Sequence, residues 1–127
     1  SAGLSSILAG TDPTTTVWTW ATEQSAGFIR RRQAHEALIH RLDAELTAGD
    51  RTSMDPALSV DGVDEVLRVM YGGCPPWGTM TPVDGQSLRF RSTDTAHSWL
   101  VTPARFTGAR LGAAVRCGGE RTRTSRR

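Results

Sequence analysis

Residues 25–48 read SAGFIRRRQAHEALIHRLDAELTA, with Gly49-Asp50 directly after them. Apart from Gly27 nothing in this run interrupts a helix. Ser25 suits the N-cap and Gly49 suits the stop. At about 100° per residue, Phe28, His35, Ile39, Leu42 and Leu46 gather on one side, the pattern of a bundle helix with one apolar face. A second stripe carries Glu36, His40, Asp43 and Thr47 at spacings of four, three and four, with Arg32 close to it. It lies roughly 80–90° from the centre of the apolar face.

Beyond this helix, Thr52-Ser53-Met54-Asp55-Pro56 reads as another helix start, with proline in the first turn. That second helix runs from about Pro56 to Met70 and carries Leu58, Val63, Val66, Leu67 and Met70. The short connection predicts antiparallel packing of the two helices. Gly72-Gly73-Cys74-Pro75-Pro76-Trp77-Gly78 is a break that no helix or central strand crosses. Ser87–Arg91 and Ser98–Thr102 alternate like neighbouring half-buried strands, and Ala109–Arg116 is a weaker third. Before the first helix, residues 1–24 are rich in Ser, Thr and Gly and read as a lead-in loop, with Trp18 and Trp20 expected to pack. The run after Cys117 has no apolar residue and is expected to be disordered. The expectation is an α+β chain: a partial helical domain over 1–71, a partial α+β domain over 78–116 and a disordered tail over 117–127. Two helices and about three strands do not bury two complete cores, so the chain is expected to be incomplete at both ends.

Composition narrows the function classes. With 38% hydrophobic and 22% charged residues in 127, the chain is globular. No apolar run is long enough to span a membrane, and the N-terminus lacks the basic start of a secretory signal. Cys74 and Cys117 have no paired spacing, which predicts a reducing cytoplasm. All the basic residues are arginine. Residues 1–120 are net acidic, and the formal charge of +2 comes from four arginines in 121–127. Nucleic-acid binding would rest on that tail alone, so neither nucleic acid nor membrane is expected as a partner.

The chemistry concentrates on the first helix. His35-Glu36 followed by His40 is one residue too long for a two-histidine zinc motif, since histidines five apart diverge by about 140°. Glu36 and His40, one turn apart, can hold one divalent cation, with Asp43 placed to orient an imidazole or bind a substrate group. The same spacing is equally that of an ordinary charged flank.

Phe28 to Glu45, with its Arg-Arg, His-Glu, His-Arg and Asp-Ala-Glu, resembles the mycothiol-dependent maleylpyruvate isomerase family of DinB-like metal-binding bundles. Trp18-Thr19-Trp20, Val60 to Leu67, and Thr93-Asp94-Thr95 with Trp99 are similar to an uncharacterised branch of it. The resemblance implies a four-helix bundle followed by a small sterol-carrier-like α+β domain. It implies a zinc ion held by an early histidine and a Glu-x-x-x-His pair, which Glu36 and His40 match, with Asp43 at a following acidic position. The early histidine has no counterpart, and His97 is a poor substitute. The implied mechanism is thiol chemistry: the metal lowers the pKa of mycothiol, whose thiolate assists isomerisation. Arg32 and Asp43 are the residues expected to act on substrate, and Arg32 is the best placed of the arginine triplet to meet an anion. The partners implied are a small thiol and a small-molecule substrate, with a homodimer left open. The alternative is a non-catalytic remnant or a module binding a small ligand or another protein. Cys74 is expected to be structural, Trp77 and Trp99 to pack, and His97 to lie at a strand end.

Overall fold

A computed structural model of the chain describes residues 2–74, 78–108, 115–116 and 122–123. Its contacts divide it into two units, Ser1–Met54 and Asp55–Arg127.

The first unit opens with a helix where a loop was expected: α1, Ala2–Gly10, made of Ala, Leu, Ile and Ser and closed by glycine. Its last carbonyls find a cation, because the Arg30 guanidinium donates to Leu8 O and, at 2.7 Å, to Thr11 O. The loop that follows is tightly bonded. Asp12 accepts from the amide and hydroxyl of Thr14 at 2.8 and 2.7 Å. The Gln24 side chain pairs with the Thr19 backbone in both directions, at 3.0 and 2.8 Å.

The long helix α2 spans Ala26–Ala48. Ser25 Oγ accepts from the Phe28 amide at 3.0 Å, and Gly49 takes the left-handed conformation at φ 74° that ends it. Gly27 is tolerated inside the first turn for a steric reason: a Cβ there would stand 3.0 Å from the Pro13 carbonyl oxygen. The buried residues of α2 are Ala26, Phe28, His35 and Leu38. Ile39 and Leu46, expected on the same face, are 51% and 59% exposed. Trp20 meets Phe28 edge-on at 5.9 Å but is itself 55% exposed, and Trp18 is exposed as well.

The second unit begins with α3, Pro56–Glu65, capped by the Asp55 carboxylate, which accepts from the Leu58 amide at 2.7 Å. The helix continues as a π-helical turn over Val66–Met70. Three antiparallel strands follow in the order β1-β3-β2: β1 is Gly78–Pro82, β2 Leu88–Arg91 and β3 His97–Gly108. The two strands read from the sequence are β2 and β3, and β1 was not foreseen. Two-residue strands β4, Val115–Arg116, and β5, Thr122–Arg123, also pair with β3. The remainder of the expected third strand and of the tail lies outside the described residues. Val60, Trp99, Val101 and Ala104 form the apolar core. Asp64 is buried with them, accepting from the Trp99 indole at 3.3 Å and from Arg68 Nε at 2.9 Å. The chain is thus α+β.

Candidate metal centre

The stripe read from the sequence is a physical row on α2. Arg32, Glu36, His40 and Asp43 succeed one another at one-turn intervals, so each side chain meets the next. Glu36 divides its oxygens, Oε1 to the Arg32 guanidinium and Oε2 to His40 Nε2 at 3.3 Å. On the other side of the ring, His40 Nδ1 stands 3.9 Å from Asp43 Oδ2. That is beyond hydrogen-bond reach but within charge contact. Thr47 is not part of the row, since its hydroxyl donates to the Asp43 carbonyl at 2.9 Å.

The row is open to solvent. Glu36 is 38% exposed, Asp43 67% and His40 74%. His35 is 4% exposed and belongs to the core side. The five-residue offset therefore separates the two histidines, as helical geometry requires.

Two ligand atoms bound at about 2.0–2.1 Å to a tetrahedral cation lie roughly 3.3–3.4 Å apart. The observed Oε2–Nε2 separation of 3.3 Å fits one edge of such a polyhedron. A carboxylate oxygen and an imidazole nitrogen are also the donor types zinc takes. The fit stops at two donors: among the described residues no group of three or more His, Cys, Asp or Glu is placed to hold an ion.

Other sequence candidates stand elsewhere. Cys74 is exposed, with Sγ 3.2 Å from the Gly78 carbonyl. His97 opens β3, its Nδ1 3.0 Å from Thr95 Oγ1 and its ring stacked on Trp99 at 6.4 Å. Asp64 was missed. Of the apolar residues singled out on its helix, Val63, Val66 and Met70 are exposed by 40% or more and Leu58 and Leu67 are half-buried, while the buried positions are Val60, Asp64 and Glu65. The signal available was Asp64 with Arg68 at i+4, which marks an acid that has a cation to pair with. The Glu45 carboxyl is held below the usual range by hydrogen bonds from the hydroxyl and amide of Thr52, which tie the loop after α2 back to its last turns.

Residues 2–45, which hold α1 and all but the last turn of α2, match the family model of the mycothiol maleylpyruvate isomerase N-terminal domain. Over that segment the chain is similar to the mycothiol maleylpyruvate isomerase N-terminal domain. The matched segment includes Arg32, Glu36, His40 and Asp43. No curated protein and no solved structure gives a match. Among the described residues, no helix is long and apolar enough to cross a membrane.

Proposed function

We propose that the chain works as part of a metal- and mycothiol-dependent isomerase or transferase of the maleylpyruvate isomerase type. On this reading Glu36 Oε2 and His40 Nε2 hold a divalent cation, zinc by donor chemistry. The observation that carries it is the 3.3 Å separation of those two atoms within the segment matching the isomerase domain. When bound, the cation supplies a lowered pKa to a thiol that joins it, giving thiolate at neutral pH.

The protein groups divide the remaining work. Arg32 occupies one oxygen of Glu36 and leaves the other directed at His40, so the carboxylate offers a single oxygen. Asp43 faces Nδ1 and favours the tautomer with its proton there, which leaves the Nε2 lone pair for the cation. The exposed row leaves room beside Arg32 and Asp43 for a small anionic substrate. A four-helix bundle around α2, a sterol-carrier-like second domain and a reducing cytoplasm, where a thiol cofactor persists, complete the proposal.

Elemental analysis of the purified chain beside a Glu36→Ala, His40→Ala double variant tests it. Near-stoichiometric zinc in the parent, lost in the variant, supports the site. Zinc absent from the parent after incubation with excess metal overturns it, in favour of a non-catalytic binding module.

A further inference from the structure

Strand β2 stands at the edge of its sheet. Ser98 of β3 pairs with Arg91 of β2 on one side and with Thr122 of β5 on the other. Among the described residues, no strand and no backbone hydrogen bond meets the outer side of β2.

The hairpin fixes which backbone groups point outward there. The Ser92 amide donates to His97 O at 3.1 Å, and these two residues continue the register that pairs Arg91 with Ser98. Hydrogen-bonded and non-bonded pairs alternate along an antiparallel ladder. Phe90 therefore turns its N–H and C=O to Trp99, while Arg89 and Arg91 turn theirs away from β3. Their spacing of about 6.8 Å is the repeat at which an added strand presents its own groups.

The side chains at this edge are of two kinds. Arg89 and Arg91 lie on one face, are exposed, and have no ion pair or side-chain hydrogen bond among the described residues. Leu88 and Phe90 share the other face with buried Trp99 and Val101, yet are 51% and 48% exposed. Beside Phe90 is a hollow of about 300 Å³ with Val60, Val63 and Trp99 in its wall.

Charge selects what can pair here. The five strands contain Arg89, Arg91, Arg105, Arg116 and Arg123 and no acidic residue. Asp84 and Asp94 lie in the turns before and after β2, and Asp94 accepts from Ser92 Oγ at 2.5 Å. Directly opposed side chains share a face, so the fullest overlaps of β2 with a second β2 set arginine against arginine. Such charges on an edge keep copies apart. A nucleic acid suits the edge poorly too, because Phe90, which would stack a base, faces away from the arginines that would meet phosphate. We propose that β2 accepts, as an added antiparallel strand, an extended segment of another protein in which acidic and apolar residues alternate. Two carboxylates would oppose Arg89 and Arg91, and the apolar residue between them would oppose Phe90 beside the hollow. The pairing needs no metal.

The test is a titration of the full chain with the peptide Thr-Glu-Val-Glu-Val-Glu-Thr, read by chemical shift and amide exchange. Its counterpart with lysine in place of glutamate is titrated beside it. Saturable binding is expected, at least fivefold tighter for the acidic peptide, with exchange at the Arg89 and Arg91 amides slowed at least fivefold. The exposed double variant Arg89→Glu, Arg91→Glu is expected to reverse the preference while its spectrum stays that of a folded chain. Absence of saturable binding, equal affinity for the two peptides, or a preference unchanged in the double variant would overturn the proposal. So would binding that leaves the Arg89 and Arg91 amides unprotected, or tighter binding of an eight-nucleotide oligothymidylate than of the acidic peptide.

Discussion

Consider the Glu36–His40 pair removed in a thermodynamic cycle, with and without zinc. In the absence of metal the two side chains form an exposed i,i+4 pair at 3.3 Å. Such pairs couple by about 0.3–0.5 kcal/mol, and water and salt screen them further. If the same atoms are the edge of a zinc site, the coupling must grow as metal is added, because only the chain with both ligands gains the binding energy. At free zinc one hundred times the dissociation constant that gain is about 2.7 kcal/mol, well above the metal-free coupling. The assay is urea unfolding followed by circular dichroism, on the parent, Glu36→Ala, His40→Ala and the double variant. Each would be measured once in chelator and once in excess zinc. The expected result is a coupling of a few tenths of a kcal/mol in chelator that rises several-fold in zinc. A coupling that zinc leaves unchanged would refute the reasoning, because the 3.3 Å separation would then be no more than a side-chain ion pair.

The caps of α2 give a stability prediction. Ser25→Ala removes the acceptor of the Phe28 amide and should cost about 1 kcal/mol in chemical denaturation. Gly49→Ala places a Cβ at φ 74° and should cost about 1–2 kcal/mol by the same measurement. In the second unit, Trp99→Phe leaves a buried Asp64 oxygen without its indole donor and should cost about 1–3 kcal/mol, with loss of near-ultraviolet dichroism. Acid should loosen the turns at Asp12, Glu45 and Asp94, whose carboxyls are held low chiefly by hydrogen bonds from Thr14, Thr52 and Ser92. Because these folded values lie below the unfolded ones, the stabilisation is complete above about pH 5 and is lost as pH falls through the depressed values. Carboxyl carbon shifts should show it, and Thr14→Val should move the Asp12 midpoint upward.

Periodicity exposed the long helix and its polar row because both are local. Ser25, Gly49 and the spacing of Glu36, His40 and Asp43 carry their own geometry wherever the helix is placed. Burial was less legible, because it depends on what covers each turn. Ile39 and Leu46 share the phase of Phe28, yet they are exposed. On α3 the same limit inverted the pattern. Asp64 is buried because a tryptophan thirty-five positions later brings an indole donor to it, and no window of neighbouring sequence contains that partner. Helix α1 was overlooked for another reason. Its serines and glycines resemble loop composition, and one of the contacts that closes it comes from Arg30, on a different element.

The two histidines of α2 show how far one residue of spacing carries. Had they stood four apart, both would share a face, and the pair would be either a metal site or a buried feature. At five apart one imidazole must enter the core while the other leaves it, and the structure has His35 at 4% exposure and His40 at 74%. A ring sealed among core side chains is closed to an arriving cation. One open to solvent between two carboxylates has its nitrogens accessible and a local negative charge to attract the ion. The helix thus assigns the two rings to different work. A Glu36→Ala, His35→Ala double variant should lose stability while binding zinc no worse than Glu36→Ala alone. Poorer zinc binding in that double variant would place His35, and not only His40, at the metal.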